Sequence, residues 1–421
     1  MSSSNHGICS SNMSSNKCSS NERSNNKCSS NESRGEWSST IRMSSIGTIK
    51  KNPSKSKHLS TATFVLSGIS VDANNLRAED YTLSSRIPQV RPGTPAEDAE
   101  RRDFTINALF YNLSTEQVED YTGQGFFDLE HNVLRTPLSP ERTFADDPLR
   151  IVRAVRFAAR FDMEICPELR RALEDPEISG LLTITRDAAG IVVSKVSGER
   201  IGAEIDKMFG NAGIGKRAIK LMTKDTQIAH ALLRSIGLKD ERFKSFPNVQ
   251  EELDMLEERQ VKIFFLAMLG APVREEVVDG KKPMPAVMYY LKEVLHIGKH
   301  EAEIVSTIYA QFANIERIAK NRELILTGKF LRSLKEDWIV AVKVYGAIEG
   351  NADELERWIR DSSGLMNCWT WKPPFDGRAL AEAPFGIDRG PKMAQAIERQ
   401  LEIMFEGVKE PEAIRRRLLD Q

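Results

Sequence analysis

Pro140 divides the sequence. Beyond it, almost every stretch between loop residues repeats its apolar side chains with helical spacing and runs to helical length. Pro167, Pro176, Pro247, Pro272, the pair Pro373–Pro374, and Gly190, Gly210, Gly298 and Gly350 punctuate those stretches. A chain with this pattern over its last two-thirds has to build a helical array, since no strand period is left from which to extend a sheet.

Before Pro140 the texture is mixed. TATFVLSGISVDANNLR, from Thr61, holds two short β-branched and apolar runs broken at Ser67–Gly68, which predicts a pair of strands. GTPAEDAERRDFTINALF opens with Gly-Thr-Pro and runs acidic, as helix starts do. YNLSTEQVEDYTGQGFFDLEHNVLRTP predicts a hairpin with Gly123 and Gly125 in its turn. Residues 1–44 are Ser/Asn-rich, with CSSN at Cys9 followed by CSSNE at Cys18 and Cys28. Such a leader cannot bury enough apolar surface to offset its ordering entropy, so it is expected to be disordered.

Composition narrows the function classes. No run of eighteen apolar residues could cross a bilayer, so no membrane role is expected and an intracellular protein is, with cytosol, nucleus and mitochondrion equally compatible. Lys plus Arg number 59 against 60 for Asp plus Glu, so attraction to a polyanion has to come from local clusters. Gly215–Lys224 and Arg415–Arg417 are two such clusters, and both also suit solvated helix faces. The five cysteines show no zinc spacing, and Cys166 and Cys368 stand alone, which fits a reducing compartment.

The most informative segment is TFADDPLRIVRAVRFAARF, residues 143–161. Thr143 is a candidate cap, Asp146 and Asp147 favour the positive end of a helix, and Pro148 is tolerated in a first turn. Ile151, Ala154, Val155 and Ala158 then form one stripe, opposite Arg150, Arg153, Arg156 and Arg160. Three residues apart, Asp147 and Arg150 would present an acceptor and a forked donor on one turn. That pair matches the Watson–Crick edges of cytosine and adenine, where an exocyclic amino group lies beside an accepting ring nitrogen; guanine and uracil show the reverse polarity. The same spacing equally suits a solvated, ion-paired face.

Several segments together carry a resemblance. ERRDFTINALFYN (Glu100–Asn112), GFFDLEHNVLRTP (Gly125–Pro137), TFADDPLRIVRAVRFAARF and KVSGERIGAEIDKMF (Lys195–Phe209) are similar, in order and spacing, to the second to fifth motifs of class II CCA-adding enzymes. KNPSKSKHLSTATFVLSGISVDANNLRAEDY and WKPPFDGRALAEAPFGIDRGPKMAQAIERQLE resemble the eukaryotic branch of that family. The resemblance implies an α+β chain: a nucleotidyltransferase-fold head, truncated here to a small mixed sheet with helices, followed by an all-helical neck, body and tail. The matching boundaries are 45–137 for the partial head, 138–230 for the neck and 231–421 for body and tail. It further implies addition of C, C and A to the 3′ end of tRNA from CTP and ATP, with Mg2+ as cofactor. By position, Asp147 and Arg150 would select the base, and Arg101, Arg102, Arg153 and Arg156 would contact the nucleotide. Asp128 and Arg135 would form the joint between head and neck, or simply a structural ion pair. Ser197, Glu199 and Arg200 would steady the neck beneath the base-selecting helix.

One family feature is missing. The metal-binding Asp-x-Asp and the Gly-Gly loop before it occur nowhere in this sequence. Asp72 resembles a further acidic position of the head, or is an ordinary strand-end residue. Asp98 and Glu100 have the spacing but stand in a helical stretch, where residues two apart point about 200° apart. The metal site is therefore expected to be incomplete. Beside CCA addition, the sequence leaves open a non-catalytic tRNA-binding descendant, a poly(A)-adding relative and a plain helical scaffold.

Overall fold

The computed structural model describes residues 43–49, 61–80, 89–182, 196–210, 213–224, 253, 255–278, 283–350 and 352–420. Most of the Ser/Asn-rich leader lies outside them. The chain separates into two compact units, the smaller spanning residues 1–49 and 61–73 and the larger holding the rest.

The smaller unit is an antiparallel sheet in the order β1 (Met43–Ile49), β2 (Thr61–Leu66), β3 (Ile69–Ala73). The strand pair predicted at Ser67–Gly68 is present. Both turn residues have positive φ, 49° and 86°, the left-handed pair that matches strand twist in a two-residue hairpin.

The larger unit opens with β4 (Arg77–Asp80) paired antiparallel to β5 (Gln89–Pro92). Then α1 (Pro95–Glu100) starts where the sequence predicts a helix, closed by a capping box between Thr94 and Glu97. The hairpin, however, forms earlier than expected. Strands β6 (Leu109–Asn112) and β7 (Gln117–Asp120) pair across Leu113–Glu116, and Gly125 begins a helix, α2 (Gly125–Glu130). Side chains decide this. Asn112 Oδ1 accepts from the amides of Ser114 and Thr115 at 2.9 and 3.3 Å, which closes the turn. The Asp120 carboxylate takes the amides of Thr122, Gly123, Gly125 and Phe126 and so fixes the start of α2.

A second correction concerns residues 143–161, which form two helices and not one. α3 (Pro140–Asp146) is capped by Ser139, not Thr143, and α4 runs Leu149–Phe161. Between them Asp147 is extended, at φ −138° and ψ 98°. Pro148 is the cause, since its ring excludes the residue before it from helical conformation. Strand structure also persists past Pro140: β8 (Val133–Leu134) pairs in parallel with β9 (Glu164–Ile165), which leads into the short helices α5 (Pro167–Glu174) and α6 (Pro176–Gly180), and further on β10 (Val277–Val278) pairs antiparallel with β11 (Met284–Pro285).

α4 is the hub of the helical part. Ile151, Val152, Ala154, Val155, Ala158 and Ala159 are all buried, and the helix packs against α7 (Gly198–Phe209) and α8 (Ile214–Lys224). α7 in turn lies close on the next layer. A Cβ built on Gly198 or Gly202 would sit 2.0 Å from the carbonyl oxygen of Val294 or 1.8 Å from that of Leu295, so only glycine admits this approach. Beyond it the helix Glu258–Gly270 is buried on nearly every side against Lys299–Ala310 and Trp338–Glu349. The last helices, Pro391–Phe405 and Pro411–Leu419, pack on each other, and the first of them packs on Leu324–Leu334. The expected helical array is thus present, and no helix among the described residues is long and apolar enough to cross a membrane.

Candidate functional site

Arg101 and Arg102 leave the end of α1 and turn back onto Asp98, which is 2% exposed. Asp98 Oδ1 accepts from Arg101 Nε at 3.0 Å and from the Arg77 amide at 3.1 Å; Oδ2 accepts from Arg102 Nη2 at 2.9 Å. Burial pushes this carboxyl up, but the two guanidinium groups and the amide outweigh it and hold the group below the usual carboxylate range. Arg102 also donates to the Asn107 carbonyl at 2.7 Å and lies over the Phe110 ring. Both arginines are thereby fixed in direction before meeting any ligand.

The arginines of α4 are held in the same way. Arg153 Nε donates to Asp103 at 2.9 Å, and Arg156 Nε donates to Glu204 of α7 at 2.6 Å. Arg153 Nη1 lies 3.5 Å from Glu204 as well. Glu204 is pushed up by burial and down, more strongly in sum, by Lys207, Arg156 and Arg153, so it too stays ionised below its ordinary range. The charged face of α4 is consequently not a solvated one. Arg150 and Arg156 are buried, at 9% and 5% exposure, and of the four arginines Arg160 alone is exposed.

Asp147 and Arg150 flank the break between α3 and α4. Asp147 Oδ1 accepts from the Leu149 amide at 3.2 Å, and its carboxylate meets Arg200 of α7 at 2.8 Å through Nη2 and 3.4 Å through Nη1. Arg150 points inward, donating to the carbonyls of Thr143, at 3.3 Å, and Arg101. The two side chains therefore do not stand side by side on one helical turn as the spacing predicts. They approach the same break from different partners, because Asp147 is not in the helix.

Asp128 and Arg135 meet as predicted. Arg135 Nε reaches both Asp128 oxygens at 3.2 Å, and the Thr105 hydroxyl donates to Oδ2 at 2.7 Å; Asp128 is fully buried. A cavity of about 530 Å3 opens beside the pair, lined by Arg135, Thr136, Ser139, Cys166 and Glu168 among others.

Asp72 belongs to the smaller unit. It faces Thr63 across β2 and β3 and accepts from its hydroxyl at 2.7 Å. Among the described residues no group of three or more His, Cys, Asp or Glu side chains could hold a metal ion. The buried carboxylates of the arginine cluster are each taken up by guanidinium groups, and an oxygen-ligated Mg2+ needs carboxylates that are free. These residues do not fit the metal.

Three carboxylates that do most of the holding, Asp98, Asp103 and Glu204, are not assigned this role by the sequence. Asp103 and Glu204 reach partners about fifty residues away, at separations of 50 and 48, beyond any spacing rule. Asp98 carries a local signal that the metal question obscures: an Asp three and four residues before two arginines on a helix end.

Comparison with known proteins identifies the family and the fold. Residues 20–135 match the family of poly A polymerase head domains, a match that reaches back into the Ser/Asn-rich segment. A tRNA nucleotidyltransferase of Schizosaccharomyces pombe is 31% identical over 397 residues, covering 86% of this chain and 78% of that protein. A mitochondrial CCA tRNA nucleotidyltransferase of Saccharomyces cerevisiae is 32% identical over 402 residues, 80% of this chain and 71% of the relative. Its counterpart in Candida glabrata is 49% identical over 344 residues, 71% and 63% of the two chains. Among solved structures, a Thermotoga maritima CCA-adding enzyme complexed with tRNA superposes with a TM-score of 0.55 at 20% identity, over 89% of this chain and 80% of that one.

Proposed function

The chain belongs to the CCA tRNA nucleotidyltransferase family, and from that premise we propose that it acts at the 3′ end of tRNA, adding C and A from CTP and ATP. The observation that carries this reading is the arginine cluster: Arg102, Arg153 and Arg156 are each steered by a buried carboxylate, and Arg150, at the start of α4, bonds the Arg101 carbonyl next to the break that carries Asp147. Forked donors held in fixed directions suit the oxygens of a triphosphate and ribose. Asp147 offers the acceptor for the exocyclic amino group of cytosine or adenine. Arg150 uses two of its five N–H donors on the Thr143 and Arg101 carbonyls, and would reach the adjacent ring nitrogen only by turning outward from that buried setting. Asp128 and Arg135 hold α2 to the strand leading into α3, which suits the joint on which a head would pivot over the neck.

The test is incorporation of labelled CTP and ATP by the full chain into tRNA lacking its 3′ end. Addition of C and A, with UTP and GTP refused, is the expected result. A second reading is favoured by one specific observation, the absence of any Asp-x-Asp from the sequence: a family member that selects nucleotides and holds tRNA without transferring. Retention of tRNA and CTP with no incorporation would establish that reading and overturn the first.

A further inference from the structure

The helix α7 presents two faces to two neighbours. Gly198 and Gly202 lie about 40° apart on its circumference and press its backbone against the Val294 and Leu295 carbonyls. Asp206, near the same side, meets Lys262 at 3.1 Å, and Lys262 meets Glu301 at 2.9 Å. Arg200 and Glu204, one turn apart, project from the opposite side. Glu204 takes Arg156 and Arg153; Arg200 takes Asp147. The helix is thus a rigid mount: its back is set by the layer behind it, and its front grips Asp147 in the break before α4 and Arg153 and Arg156 within α4.

Arg200 grips Asp147 at two points, one for each carboxylate oxygen. With the Leu149 amide on Oδ1 as well, three of the roughly four acceptor positions of the carboxylate are spoken for. The plane of the group is then fixed, and one acceptor direction remains. An extended residue outside a helix would otherwise rotate freely about its side-chain bonds and accept from any donor, including the ring N–H of uracil.

Resting on the assignment of Asp147 to base reading, we propose that Arg200 is the positioning residue for base selection: it orients the Asp147 carboxylate so that its remaining acceptor direction fits an exocyclic amino group. Arg200 touches no nucleotide in this role. Its position on α7 means that the selectivity of the neck is set in part by the body behind it.

The test uses equilibrium binding of labelled CTP to the full chain, competed with UTP, and needs no transfer. Asp147→Asn abolishes the preference for CTP. Arg200→Met lowers that preference by about tenfold, the worth of one well-oriented charged contact, while thermal unfolding of the variant stays that of the parent. Arg200→Lys, which keeps one of the two bonds, restores part of it. Loss of preference in Asp147→Asn with none in Arg200→Met would overturn the role of Arg200 alone. Full preference retained in Asp147→Asn would overturn the base-reading assignment, and this proposal with it.

Discussion

At the scale of single residues, the chain places its carboxylates where arginines need direction. Asp128 shows what such a group is worth. It is fully buried, with Arg135 and the Thr105 hydroxyl as its partners. Asp128→Ala should lower the unfolding free energy by about 2 kcal/mol, read as a shifted urea midpoint, because the buried Thr105 hydroxyl and the partly exposed Arg135 lose a charged hydrogen-bond partner. Asp128 and Arg135 are legible in the sequence because both lie in one short motif. Asp103 and Glu204 are hidden there, since their partners come from other elements, and chain spacing carries no record of contacts made only on folding. Asp147 stands between these cases: the residue is legible in its motif, but helical spacing gives it the wrong neighbour, because Pro148 breaks the helix on which that spacing depends.

At the scale of elements, local rules decide what local residues control. The β2–β3 turn and the capped start of α1 are set by adjacent side chains and are readable. The β6–β7 hairpin is shifted because Asp120 gives its acceptors to four amides downstream, turning a glycine-rich loop into the start of α2. The break between α3 and α4 carries Asp147, the proposed base-reading residue, and that role can be tested. Pro148→Ala permits the two helices to merge and carries Asp147 into helical conformation, away from its extended setting opposite Arg200. We expect the CTP preference over UTP to fall, while stability changes by less than about 1 kcal/mol, since relief of the proline restriction and loss of the break oppose each other. Competition binding and thermal unfolding on one sample report both.

At the scale of the molecule, the larger unit is tied together by ionised carboxylates in every part. Burial pushes Asp98, Glu204, Glu301 and Glu402 up, yet Arg101, Lys207, Lys262 and Lys329 with their neighbours hold all four below the usual range. A carboxylate lowered on folding contributes stability that is complete above its unfolded pKa, about 4, and is lost as pH falls through the lower folded value. Acid titration followed by circular dichroism should therefore leave the fold intact at about pH 6 and weaken it progressively below about pH 4. A plain helical array is legible from the period of the sequence; that its layers are joined through a glycine face on α7 is not, because close backbone approach leaves no mark except a residue without a side chain. The arginines Arg153 and Arg156 of α4 are matched in charge by internal counterions before any ligand arrives. On the proposed reading, a nucleotide meets guanidinium groups whose charge Asp103 and Glu204 already offset, and gains only what it adds to those bonds. Under that reading such a surface would hold its visitor lightly and let it go quickly, a useful temper for a protein that has to handle several nucleotides in turn.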